Sequence, residues 1–222
     1  MTIIQNTSRK ARLGFTALAA ALSLGGPLAV ATMATPAIAA EGRLNEAVAA
    51  LRGITTMTAD FTQTDRQGST VSGKLTLKQP GKIRFQYEKG VPLLIVSNGS
   101  ALTMIDYEVN QVQRWPIKSS PLGALLDPDR DVKRYGKLTS GTSGTVISVE
   151  VRDPKRPEFG VMTLIFTRNG SAPGGWQLTN WVALDSQNNR TTVRLRNHRY
   201  GAAVSDSAFK YRDPRRTTRR PR

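Results

Sequence analysis

The chain has no cysteine and one histidine, and it is short of acids, with 16 Asp and Glu against 32 Lys and Arg in 222 residues. Each shortage removes a class of function. Without cysteine there is no disulfide frame and no thiolate ligand or nucleophile. Lipid attachment to an exported bacterial protein also requires a cysteine, so a lipidated N-terminus is excluded. The one histidine, His198, stands among Arg196 and Arg199 and reads as a surface residue rather than a ligand or base. Serines fall in turns with no candidate base, so a hydrolytic triad has no support, and the glycines lack phosphate-loop spacing. Asp127, Asp129 and Asp131 alternate like the start of a calcium loop. Pro128 and the missing Gly and Glu at later positions break that pattern, which leaves a plain loop. The residue inventory therefore points away from an enzyme, with no metal and no cofactor expected.

Long apolar runs are also missing, with one short exception. Arg9, Lys10 and Arg12 precede "LGFTALAAALSL", Leu13 to Leu24, which Gly25-Gly26-Pro27 cuts short. A spanning helix would need about 20 apolar residues. Ala37-Ile38-Ala39 is a small-residue cleavage pattern, so residues 1–39 are expected to be a cleaved signal peptide. The product would then be exported and soluble, and export removes nucleic acid from its partners. The formal charge of +16 is uneven. The tail "KYRDPRRTTRRPR", Lys210 to Arg222, holds seven cations and one Asp. Too apolar-poor to fold, residues 212–222 are expected to form a disordered basic tail, either solvated or drawn to an anionic membrane surface. Residues 40–211 remain as one domain.

Alternation dominates that domain. In "KIRFQYE" Ile83, Phe85 and Tyr87 fall on one strand face and Arg84, Gln86 and Glu88 on the other. Leu44, Ala47, Val48 and Leu51 make one short amphipathic helix that ends near Gly53. Downstream lie "MTADFTQTD", "STVSGKLTLKQ", "KIRFQYEKG", "LLIVSNGS", "ALTMIDYE" and "QVQRWPIK", six strands separated by turn residues. "SSPLGALLDPDRDVKRY" breaks the pattern. Pro121 suits a first helical position, and Leu122, Leu125 and Leu126 share a face. This helix is too short to stand alone and must lie on something apolar. Strands resume with "GTVISVEVRDP", "GVMTLIFTRNG", "GWQLTNWVALDS" and "RTTVRLRNHRY". In the third of these, Trp176, Leu178, Val182 and Leu184 share a register, with Asn180 the exception. Spacing of this kind belongs to an all-β barrel or sandwich. Its apolar face is either ordinary core or the wall of a cavity for a lipid-like ligand.

These pieces resemble the LolA family of periplasmic lipoprotein carriers. The match runs over roughly residues 44–211 and rests on Phe61-Thr62-Gln63, "GKLTLKQPGKIRFQYE", "LLIVSNGSALTMIDYEVNQV", "SPLGALL", "RTTVRLRN" and "AFKY". The forms "P-G-x-x-R-F-x-Y" and "PLGALL" are most similar to the alphaproteobacterial branch. The resemblance implies a half-open antiparallel β-barrel wrapped around an N-terminal helix, with a short helical lid. It also implies a monomeric chaperone that takes acylated lipoproteins from an inner-membrane ABC transporter and carries them to an outer-membrane receptor. Carried onto this chain, the lipid-cavity wall is Phe61, Leu75, Leu77, Ile83, Phe85, Ile95 and Met104, and the lid is Pro121, Leu122, Leu125 and Leu126. Family members place an Arg before the strand's Pro to fasten the lid, whereas this chain has Gln79. Gln79, Lys82 and Arg84 are the candidate latches. A carrier of free lipids or glycolipids would use the same cavity. A lipoprotein-sensing module, the other alternative, would usually bring a second domain or an anchor.

Overall fold

The alternating segments join into one antiparallel sheet. The computed structural model describes residues 36–117, 123–127, 132–155 and 157–215. Among them, eleven strands are hydrogen-bonded in the order β6-β5-β4-β3-β2-β1-β11-β10-β9-β8-β7. The first six are β1 (Thr56–Thr64), β2 (Thr70–Lys78), β3 (Lys82–Tyr87), β4 (Leu93–Asn98), β5 (Ala101–Asp106) and β6 (Gln111–Pro116). The other five are β7 (Gly136–Leu138), β8 (Val146–Val151), β9 (Val161–Arg168), β10 (Trp176–Leu184) and β11 (Arg190–Tyr200). Strands adjacent in sequence pair as hairpins, and β1 pairs with β11 to join the two halves. β6 and β7 end the sheet without pairing to each other. The barrel is therefore half open.

Helix α1 (Pro36–Gly53) fills the inner face. It begins earlier than the apolar spacing predicts and runs through Ala37-Ile38-Ala39. Ala47, Val48, Ala50, Leu51 and Ile54 are buried against the strands in the main core cluster. Each fully buried side chain of Leu or Ile size contributes about 1.5–3 kcal/mol. Trp176 Nε1 donates to Glu46 Oε2 at 2.8 Å, while Arg43 and Arg168 lie 5.3 and 5.0 Å from the Trp176 ring centroid. A polar clamp thus fixes the helix to β10. Two further one-turn helices, α2 (Gly123–Leu126) and α3 (Val132–Tyr135), follow β6. Neither α3 nor β7 was legible in the sequence. Residues 1–35, Pro121, Leu122, Asp129, Asp131 and the tail from 216 onward lie outside the described residues, so most of the expected signal peptide, half the expected lid and most of the tail do too.

The register expected for β10 is corrected. Leu178 pairs with Phe166 but Asn180 pairs with Ile165, so Thr179 is an extra residue in a bulge. Trp176, Leu178 and Trp181 are buried on the inner face. Val182 and Leu184, expected beside them, are turned to the outer face and only half-buried. Strict alternation fails wherever one residue is inserted.

A second cluster lies outside the sheet. Leu94, Val96 and Ile105 point away from α1 and are covered by Phe209, with Val204 and Ala208 packed alongside. The segment after β11 therefore straps the outer face of β2 to β5. Lys78 Nζ donates to Val204 O at 2.9 Å and to Asp206 Oδ1 at 2.7 Å, and Lys82 Nζ lies 2.9 Å from Asp206 Oδ2. Those bonds, Lys78's first, hold the Asp206 carboxyl down at about 2. Because the folded value lies below the ordinary 3.8, this contribution is complete above about pH 4. It is lost as pH falls toward 2. The strap should therefore loosen over that window, seen as lost exchange protection of the Ala208 and Lys210 amides, which donate to Ser205 O and Ser207 O. Asp206→Asn should show the same loosening already at neutral pH. Protection that stays unchanged in the variant would mean that Phe209 packing and the lysine and arginine bonds to strap carbonyls hold the strap without the carboxylate.

Candidate lipid-binding cavity

Cross-strand register assembles the candidate wall. Ala59, Leu75, Phe85, Ile95 and Met104 are successive partners across β1 to β5. Met57, Leu77, Ile83, Ser97 and Leu102 form the adjacent row. Side chains paired this way share a face. Phe61, Leu75, Leu77, Ile83 and Phe85 are no more than 3% exposed, whereas Ile95 and Met104 are only half-buried. The wall thus opens toward the free β6 edge.

Aromatic rings fill the middle. Phe61 meets Tyr87 edge-on at 5.1 Å and Phe85 at 5.4 Å, and Phe85 meets Trp181 at 6.0 Å. Gly73 lies between Phe61 and Tyr87 in the register. A Cβ there would sit 2.8 Å from Phe61 Cε1 and 2.2 Å from Gln86 O, so only glycine lets those rings meet. Tyr87 Oη donates to Gln63 Oε1 at 2.8 Å, and burial pushes its pKa up to about 12. Gly73 and Trp181 were not among the residues expected at the wall, and their places follow from pairing partners that a single strand's pattern does not reveal. Tyr87 was expected on the face of Ile83 and Phe85 but was not named as wall.

Helix α2 lies over this wall. Leu125 is 1% and Leu126 4% exposed, both inside the main core cluster. At its C-terminal end Asp127 N donates to Gly123 O at 2.8 Å. Gln79 Nε2 donates to Leu125 O at 3.2 Å, and Gln79 Oε1 accepts from Gly81 N at 3.2 Å. Ser97 Oγ donates to Gly81 O at 2.7 Å and accepts from Gly99 N at 3.2 Å. The turn bearing Gln79 is thereby held against the next hairpin. Ser97, fully buried, is a positioning residue that reads in the sequence as ordinary turn material.

Lys82 and Arg84, the other latch candidates, face the opposite way. Their alternation with Ile83 and Phe85 places them on the outer face, under the C-terminal strap. Arg84 Nη1 donates to Ala208 O at 3.1 Å and to Lys210 O at 3.0 Å, and burial pulls its guanidinium below the usual arginine range. Both bind the strap, which corrects their assignment to the lid. His198 is corrected too. It is half-buried, with Nε2 donating to Leu178 O at 2.8 Å and Nδ1 accepting from Gln177 Nε2 at 2.9 Å, and burial lowers its pKa. Both ring nitrogens are occupied in holding β10 to β11.

This arrangement packs two leucines of α2 into the apolar inner core. It brings no nucleophile and base together among the described residues. No described helix is long and apolar enough to cross a membrane. The chain is 28% identical to a Chromobacterium violaceum protein over 73% of this chain and 80% of that one. It is 27% identical to one from Methylobacillus flagellatus over 83% and 93%. Both relatives are named outer-membrane lipoprotein carrier protein. Among solved structures, a LolA superfamily protein from Nitrosomonas europaea matches with a TM-score of 0.46 at 10% identity, over 78% of this chain and 97% of that one. The family model described as outer membrane lipoprotein carrier protein LolA matches residues 52–212, and the chain belongs to that family.

Proposed function

We propose that the protein is a periplasmic carrier that holds the acyl chains of lipoproteins against the inner face of its sheet. In this reading it receives them from an inner-membrane ABC transporter and delivers them to the outer membrane. The observation that supports the reading is the packing of α2: Leu125 and Leu126 of one helical turn join the apolar core cluster of the inner wall, and the turn is tethered through the neutral amide of Gln79. Burying an acyl chain releases about 0.8 kcal/mol per methylene, so an unopposed cavity would bind almost irreversibly. A helix that returns its leucines to the wall when cargo leaves competes with the cargo and permits release. Phe61, Leu75, Leu77, Ile83 and Phe85 form the covered wall, and Ile95 and Met104 the part open to entry. Gln79 is the latch.

Strand alternation supplies the test. A photo-crosslinking residue at Ile95 or Phe85 should capture acylated lipoproteins from a periplasmic extract. The same residue at Arg84, one position from Phe85 and on the outer face, should capture none. Equal capture at all three sites would sink the assignment of the inner face as the lipid wall. Mass spectrometry of the captured species separates lipoprotein cargo from free lipid.

A further inference from the structure

Two bulges bring unlike side chains onto one outer surface. In β11, Thr58 pairs with Arg199 and Asp60 with Arg196, so Asn197 and His198 together oppose one residue. Asn197 takes the left-handed conformation such an insertion requires, with φ 54. Unbroken alternation would turn Arg199 inward. The extra residue returns it to the outer face with Arg190, Arg194 and Arg196, all four exposed. At about 3.3 Å per residue the row is roughly 30 Å long.

This row is short of counter-charge. Among the described residues no ion pair uses Arg190, Arg194 or Arg196. Asp60, opposite Arg196, is already held by Asn197 Nδ2 at 2.7 Å and by Lys74, which keep its carboxyl below the usual range. Lys74, although 74% exposed, is paired with Asp60, so the pair adds no net charge and the four arginines carry the row.

Beside the cations runs a half-buried aliphatic row. The Thr179 bulge sets Val182 beside Thr192 and Leu184 beside Arg190. Across on β9, Val161 is the partner of Leu184. All three apolar side chains are half-buried, and none packs into either core cluster.

We propose that the outer face of β9 to β11 is a docking surface for a lipid bilayer with anionic headgroups. The guanidinium groups match headgroup phosphates. A cationic row alone would serve an acidic protein equally well. The adjoining aliphatic row, which among the described residues joins neither core cluster, favours a surface offering charge and apolar depth together. This face lies opposite the candidate cavity, so the proposal does not depend on the carrier reading.

The test is flotation of the purified protein with phosphatidylcholine vesicles, with and without phosphatidylglycerol. Binding should require phosphatidylglycerol and weaken with salt. At about 1 kcal/mol per cation near the surface, Arg194→Gln with Arg196→Gln should lower partitioning roughly 30-fold. The melting temperature and hydrophobic-dye binding should not move. Thr192→Arg, within the row, should raise partitioning severalfold, so the proposal stays testable even if the double variant folds poorly. Val182→Asn with Leu184→Asn should weaken vesicle binding but leave binding to dextran sulfate unchanged. Wild-type partitioning by the arginine variant, or no gain from Thr192→Arg, overturns the proposal. Equal losses on vesicles and dextran sulfate in the aliphatic variant would make this a site for a polyanion or acidic protein and overturn the bilayer as its occupant.

Discussion

Replacing Leu125 by Ser should give a less stable protein that binds acyl chains more tightly. Leu125 is 1% exposed and lies in the main core cluster. Its apolar burial contributes about 1.5–3 kcal/mol, and a serine hydroxyl in that place adds a desolvation cost. α2 has only four residues and cannot hold itself as an isolated helix. The loss therefore falls first on the closing of α2 over the wall. If α2 opens independently of the sheet, as the proposed reading requires, destabilisation should saturate once the open form dominates. In the proposed reading cargo binds only the open form, so its apparent affinity should scale with the open fraction. Each 1.4 kcal/mol removed from closing should then raise affinity about tenfold, up to the same saturation. Melting temperature and titration with a hydrophobic dye or lipopeptide read the two effects separately. Ordinary core predicts lower stability with no gain in affinity. Loss of both would make α2 a fixed cavity wall and end the account of release.

The strands were legible because hairpins are local. Each of the ten strand segments expected from alternation and turn residues is a strand in the structure, and the paired rows of the inner face follow from their registers. Bulges were not legible. Val182 and Leu184 continue the apolar alternation of Trp176 and Leu178, and the one mark at the bulge, Asn180 breaking that register, does not by itself show an inserted residue. The direction of Lys82 and Arg84 was written in their alternation with Ile83 and Phe85. What they meet was not, because their partners lie more than a hundred residues away in the strap, as with Arg84 and Ala208. The same separation hid the second core: Leu94, Val96 and Ile105 read as one strand face too many until Phe209 covers them. Ser97 shows the limit most clearly, since its role depends on two carbonyl and amide groups of neighbouring turns.

Gln79→Arg should move the protein in the opposite direction from Leu125→Ser. The present latch is an amide bond of 3.2 Å to Leu125 O, between neutral groups. Such a bond contributes about 1 kcal/mol net, while one with a charged donor contributes about 1.5–3. A guanidinium presents several donors, so it can take the Leu125 carbonyl together with others at the exposed end of the turn. It cannot accept from Gly81 N, as Gln79 Oε1 does at 3.2 Å, and that loss offsets part of the gain. A net tightening of about 1 kcal/mol would lower acyl-chain affinity roughly fivefold and raise the melting temperature slightly. Gln79→Leu, which keeps the bulk and removes both bonds, should raise affinity and lower the melting temperature. The pair tests the latch independently of packing, because neither change touches the wall. If both variants shift stability but leave affinity alone, Gln79 serves only the turn it stands in, and α2 is held shut by its leucines.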